Sequence, residues 1–233
     1  MVRSESRRED KNMNLVIFGA SGGTGQALVQ QALDRGHTVT AFVRKAARMR
    51  VKHGRLKLAV GNVLDYATVE AAIAGQDAVL SALGHKRWLI KTSILSTGTR
   101  NIIAAMTKCG VRRFVCETSL GVGDSKGRLG VLYTFFLIPL LLYFYFRDKE
   151  LQEKCIMQSS LDWIIVRPAA LTNGKETGTF HEGKDIGSLI FTHRVSRADV
   201  ASFMLSEVKD DRYVRDTPGV ESGVSTLTTG YMR

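Results

Sequence analysis

The chain is short of the residues that tie a fold together covalently or through metal. Its three cysteines, Cys109, Cys116 and Cys155, lie well apart in 233 residues, and none of their spacings is that of a zinc site or a redox dithiol. They are read as reduced thiols, and a cytoplasmic location is expected. The five histidines, His37, His53, His85, His181 and His193, make no HExxH or comparable pattern, so no metal is expected. No internal repeat and no low-complexity linker is present. Residues 1–12 are highly charged and contain no apolar stretch of the kind a secretory signal needs, so they are expected to form a mobile tail.

What is present is an ordinary globular composition, 44% hydrophobic and 24% charged, which excludes a disordered chain. The length suits one doubly wound domain with a substantial core and is short for two. A single domain over residues 13–233 is therefore expected, with 168–233 forming a small C-terminal substrate lobe. The net charge of +11 is less ordinary. Lys and Arg are spread along the chain, with one denser run from Arg44 to Arg55. A diffuse excess of this kind suits small polyanions, and no nucleic-acid partner is expected.

Asn14-Leu15-Val16-Ile17-Phe18 is a short apolar run ending at glycine, as a parallel strand buried on both faces requires. The next segment places Ala27, Leu28, Ala32 and Leu33 on one helical side and stops at Gly36. Strands are then predicted over 38–43, 56–60, 77–82, 113–116 and 162–166, the last closed by Pro168. Helices are predicted over 67–74, 92–109 and 196–208. Strands alternating with helices imply right-handed crossovers and a parallel sheet, hence an α/β doubly wound, Rossmann-type fold.

Residues 129–146 carry no charge, lie between Arg128 and Arg147, and reach the lower length limit for a membrane span. Spanning is excluded by topology, because strands of one sheet lie on both sides of the segment in sequence. Pro139 is expected to interrupt a helix there. The segment is read as a buried helix or subunit interface, with a wall over an apolar ligand and surface membrane contact as alternatives. Either a monomer or a homodimer fits.

The glycines of Gly19-Ala20-Ser21-Gly22-Gly23-Thr24-Gly25 have separate tasks between strand and helix. The first permits the tight turn, the second lets backbone approach a pyrophosphate, and the third lets helix pack closely on strand. The helix start offers free N–H groups and partial positive charge to phosphates. Dinucleotide binding is the expectation, with Ser21, Gly22, Gly23 and Thr24 as contacts. The end of the second strand selects the cofactor. Val43-Arg44-Lys45 has no carboxylate for a ribose 2′-hydroxyl but two cations for a 2′-phosphate, so NADP(H) is preferred over NAD(H).

These features resemble the extended and atypical branch of the short-chain dehydrogenase/reductase superfamily. The likeness is greatest to its NAD(P)H-binding group, which includes biliverdin-IXβ reductase/flavin reductase and the NmrA-like proteins. The matching residues are Gly19 to Gly25, Arg44, Gly61-Asn62-Val63, Ser81-Ala82-Leu83-Gly84, Thr118-Ser119 and the stretch from Asp162 to Leu171. The resemblance implies that Asn62 and Val63 meet adenine, that Ala82, Leu83, Gly84 and Thr118 meet ribose and nicotinamide, and that Pro168, Ala169 and Leu171 floor the site. Asn62 stands where that group usually has Asp, which alters the adenine contact. Lys86 is a further phosphate candidate.

The superfamily's catalytic set is a Ser, a Tyr and a Lys one helical turn later. Ser119 ends the fifth strand, and Tyr145 and Lys149 stand at i and i+4, on one helix face. The lysine cation would lower the tyrosine pKa from near 10 and make it a usable acid or base, while the serine orients the substrate oxygen. Tyr145 also lies in the aromatic run from Tyr143 to Phe146, where core packing competes with catalysis as its explanation. The implied activity is NADPH-dependent hydride transfer to a flat, largely apolar small molecule such as a flavin, tetrapyrrole or quinone. A non-catalytic NADP sensor or assembly factor is the alternative. Sugar-nucleotide epimerisation fits less well, because the C-terminal region leaves little room for a sugar-nucleotide lobe.

Overall fold

Each short apolar run of the sequence becomes a strand and each amphipathic stretch a helix in the computed structural model, which describes residues 12–85 and 89–223. The expected tail, apart from Asn12, and Lys86 lie outside those residues. The strands are β1 Asn14–Phe18, β2 Thr38–Val43, β3 Leu56–Val60, β4 Ala78–Ser81, β5 Arg113–Glu117, β6 Asp162–Pro168, β7 Ala170–Thr172, β8 Phe180–Gly183, β9 Arg194–Ser196 and β10 Gly219–Ser222. The helices are α1 Gly23–Asp34, α2 Tyr66–Ile73, α3 Ile94–Cys109, α4 Tyr143–Met157 and α5 Arg197–Ser206.

The main sheet runs β3-β2-β1-β4-β5-β6-β10-β8. Its pairs are parallel except that β8 runs antiparallel to β10. A short parallel pair, β7 with β9, lies apart. The fold is the doubly wound, Rossmann-type α/β arrangement. Residues 180–183 and 219–222 extend the same sheet.

Period-two alternation sends Leu15 and Ile17 into one core and Val16 and Phe18 into the other. Helices α1 and α5 pack together, while α3 packs with α2 and α4. Both cores are apolar, with Leu28, Phe203, Phe114 and Ile102 buried. β3 closes the sheet as an edge, which leaves Leu58 and Val60 exposed.

The uncharged segment is helical, but the expectation that it is buried is wrong. Residues Tyr133–Leu142 form a π-helix that runs directly into α4, and none of them is buried. Phe135 is 67% and Leu140 71% exposed. Only Tyr133, Ile138 and Leu142 rest partly on the core. Apolarity does not dictate burial when an element projects past the layer it would cover. Pro139 does not interrupt the helix either. The wider i to i+5 turn leaves room between its ring and the preceding carbonyls. No helix among the described residues is long and apolar enough to cross a membrane.

Candidate functional site

The chain builds β1, β2 and β3 in one direction across the sheet, then returns to place β4 on the other side of β1. The crevice beyond the ends of β1 and β4 is where a doubly wound sheet has room for a ligand. Two loops meet there. A Cβ on Gly19, whose φ is +75°, would stand 2.3 Å from the Ala82 carbonyl oxygen. Only glycine allows the turn after β1 to lie against residues 82–84 after β4.

Gly25 is as constrained, because a Cβ there would lie 2.1 Å from the Gly19 carbonyl oxygen. The amide of Gly22 closes the turn by donating to that carbonyl at 2.8 Å. Gly22 and Gly23 are exposed, as are no others of the turn.

The start of α1 differs from those of α2, α3 and α5, while α4 continues directly from the preceding helical turn. Asp65 caps α2, Ser196 caps α5, and the Asp148 carboxylate accepts from the Leu95 and Ser96 amides at the start of α3. The start of α1 has neither a side-chain cap nor an acidic residue in its first turn. Its first-turn N–H groups therefore carry uncompensated partial positive charge.

Below this turn the polar face of α4 enters the molecule. Lys149 is buried and donates from Nζ to the Thr118 carbonyl at 2.8 Å. The Tyr145 ring lies 5.1 Å from that Nζ and packs edge-on against His85 at 4.9 Å. A Cβ on Gly84 would be 3.4 Å from the Tyr145 hydroxyl. The structure thus brings Tyr145, Lys149, Thr118 and Gly84 together. Ser119 follows Thr118 in the half-buried loop after β5.

Beneath them lies a set of charges, among which Glu117 and Arg167 were passed over in the sequence reading. Glu117 is buried, accepts from the Thr24 hydroxyl at 3.1 Å, and has its pKa raised by burial against the opposing pull of Lys149. Glu153 accepts from the Thr118 hydroxyl at 2.7 Å and pairs with Arg167 at 2.7 Å, both side chains being buried. Burial pushes the Arg167 pKa down, but Glu153 and Asp124 outweigh it and hold the guanidinium above its ordinary value. The available signal was a charged residue directly after an apolar run, Glu117 after Phe114-Val115-Cys116 and Arg167 after the run from Trp163 to Val166.

Arg197 is the other residue missed. A Cβ on Gly23 would approach its Cδ to 2.5 Å, so its side chain lies across the start of α1. Its guanidinium donates to the Asn173 side-chain oxygen at 2.7 Å. A cation in the first turn of α5 opposes that helix's own dipole, an oddity readable in the sequence.

The remaining predicted residues are spread around the crevice. Arg44 and Lys45 follow β2 and are exposed. Asn62 turns its side-chain oxygen back to the Leu64 amide at 3.1 Å, and Val63 is buried against Gly98. Pro168 and Ala169 are buried at the end of β6, and Leu171 sits half-buried on β7. Past α4, a cleft of about 340 Å³ is lined by Ile138, Tyr143 and Phe146 with Lys126, Arg147 and Glu150.

A model of the NAD(P)H-binding family matches residues 19–211. The chain belongs to that family. Among its relatives, an uncharacterised chloroplastic protein of Arabidopsis thaliana is 29% identical over 187 residues, 76% of this chain and 66% of that one. The photosystem II assembly factor Ycf39 of Synechocystis is 27% identical over 165 residues, 70% of this chain and 46% of the relative. The chain therefore spans two thirds or less of the length of these two relatives. The anaerobillin reductase ChuY of Escherichia coli O157:H7 shares the fold, with a TM-score of 0.76 at 24% identity over 93% of this chain and 100% of that one. The crevice fits the family's cofactor, since glycine lets the turn after β1 close tightly against the loop after β4 and α1 presents an uncapped N-terminus to phosphate.

Proposed function

We propose that this family member is an NADPH-dependent reductase of the atypical short-chain type, acting on a flat, largely apolar acceptor. The observation that carries the reading is the uncapped, acid-free start of α1, standing beside the loop that meets Tyr145 and Lys149. In this reading Gly22, Gly23 and the first turn of α1 hold the pyrophosphate, with Ser21 and Thr24 beside them and Arg197 as a clamp. Arg44 and Lys45 hold the 2′-phosphate, Val63 and Asn62 flank adenine, and Ala82, Leu83 and Gly84 line the nicotinamide ribose.

When bound, the reduced nicotinamide supplies a hydride to the acceptor. The chain supplies the matching proton. The Tyr145 hydroxyl donates it, and Lys149, fixed by the Thr118 carbonyl, stabilises the resulting phenolate. Ser119 orients the acceptor's polar atom. Glu153 and Arg167 act through Thr118, holding the loop after β5 in place. The cleft beside Ile138, Tyr143 and Phe146 supports an apolar acceptor such as a flavin, quinone or tetrapyrrole, and the structural neighbour ChuY is named an anaerobillin reductase.

The test is NADPH oxidation, followed by its near-ultraviolet absorbance, against a panel of flavin, quinone and linear tetrapyrrole acceptors. Turnover with at least one supports the reading. Saturable NADPH binding with no turnover on any acceptor favours a second reading, a non-catalytic cofactor-binding assembly factor, the relative Ycf39 being named an assembly factor. The exposed π-helix is what favours that alternative.

A further inference from the structure

We infer that the exposed apolar face formed by residues 131–144 and 189–191 docks onto the surface of an anionic lipid bilayer. The two segments are one surface. The Val131 amide donates to the Ile190 carbonyl, Leu129 and Ser188 form a bridge, and the Thr192 hydroxyl donates to the Leu129 carbonyl. On it Phe135, Leu140, Leu189 and Ile190 are 67%, 71%, 69% and 68% exposed. So contiguous a set of large apolar side chains marks a surface that meets an apolar partner.

Charge selects the partner. Neither segment contains an acidic residue, and cations stand at their borders: Lys126, Arg128, Arg147 and Arg194. Three carboxylates lie among them, of which Asp124, beside Arg128, is neutralised by Arg167. Glu150 pairs with both Lys126 and Arg147, and Asp185 pairs with Arg128. The border therefore keeps a positive excess, on a chain whose net charge is +11. A second copy packed face to face would set this basic border against itself. Anionic headgroups would pair with it, each cation near the surface contributing about 1 kcal/mol.

Dimensions select the mode. A ten-residue helical segment extends roughly 15 Å, against a hydrocarbon core about 30 Å thick. It cannot cross and must lie in the interface, where aromatic rings such as Phe135, Phe136 and Tyr143 are well placed. The 340 Å³ cleft is lined by Thr134, Ile138 and Tyr143 of the same segment, so docking would give an acceptor dissolved in lipid a direct route to it. That last consequence rests on the reductase reading; the docking does not.

The experiment is co-sedimentation of the full chain, without cofactor, with phosphatidylcholine vesicles prepared with and without phosphatidylglycerol. The chain is expected to bind the anionic vesicles, less tightly at high salt, and to bind neutral ones weakly. Phe135→Asp with Leu140→Asp should cut binding about tenfold or more, from lost apolar burial. Leu189→Asp with Phe191→Asp, on the neighbouring segment, should do the same, and all four sites are exposed enough that the melting temperature should hold. Wild type that ignores both vesicle types overturns the inference, as do charged variants that bind undiminished. A dimer in sedimentation velocity that the Phe135 and Leu140 variant dissociates, with no vesicle binding, assigns the face to a second copy instead. None of these readings depends on NADPH turnover, so failure here and failure of the reductase assignment are separately visible.

Discussion

At Gly25 two effects of a single methyl group oppose each other. Alanine is favoured over glycine in a helix by about 1 kcal/mol, but here its Cβ would meet the Gly19 carbonyl at 2.1 Å. The obstacle is backbone and cannot swing away, so the clash wins. Gly25→Ala is expected to lose about 1–3 kcal/mol in denaturant unfolding and to weaken NADPH binding. The need for glycine was legible in sequence because it arises within seven residues. Arg197 and Glu117 are odd charges for their places in the sequence, but only the tertiary fold carries them to the same crevice. Tyr145 was left between catalysis and core. Its hydroxyl near Gly84 and its ring beside Lys149 argue for catalysis, so Tyr145→Phe is expected to lower kcat by about a hundredfold or more while leaving the NADPH dissociation constant unchanged. Unchanged turnover would remove the tyrosine from the mechanism.

Among the elements, α4 is the one whose sequence misleads most. Its buried face is polar, presenting Asp148, Lys149, Gln152 and Glu153 to the interior, so hydrophobic periodicity could not orient it. Asp148 explains the pattern by capping α3 from another helix, at 2.9 and 3.1 Å to the Leu95 and Ser96 amides. Asp148→Ala would leave those buried donors unpaired and is expected to cost about 1–3 kcal/mol, measured by urea unfolding. Asp148→Asn, which keeps one acceptor, should fall between. Strands β1 to β6, by contrast, were legible to within two residues, because a buried parallel strand needs an apolar run; β7 to β10 were not predicted, being three or four residues each with polar residues among them. The π-helix was misread because an apolar run says nothing about whether a partner layer lies over it.

At the scale of the whole molecule, a pH signal near neutrality lies away from the crevice. Glu207 is buried just past α5, and neither carboxylate oxygen has a hydrogen-bond partner among the described residues. Burial, with Asp210 adding, pushes its pKa up to about 7. The folded state then holds this proton more tightly than the unfolded chain does. Its contribution is fully present below the ordinary glutamate range and is lost as pH rises through about 7. Glu207→Gln should therefore match wild type in acid and exceed it by up to about 3 kcal/mol in mild alkali. Thermal melts across that window would show it, and parallel pH profiles would count against it. Whether residues 168–233 act as a substrate lobe is part of the functional proposal, although β10 and β8 physically continue the main sheet.

The central claim is that the crevice between β1 and β4 holds NADPH with its 2′-phosphate on Arg44. Calorimetric titration of wild type and Arg44→Ala with NADPH and NADH tests it most directly. Wild type should bind NADPH more tightly than NADH, and the substitution should weaken NADPH about 10–100-fold, the worth of a charge-assisted contact, while leaving NADH unchanged. Equal affinity for the two cofactors in wild type, or an Arg44→Ala protein that binds NADPH undiminished, would contradict the account.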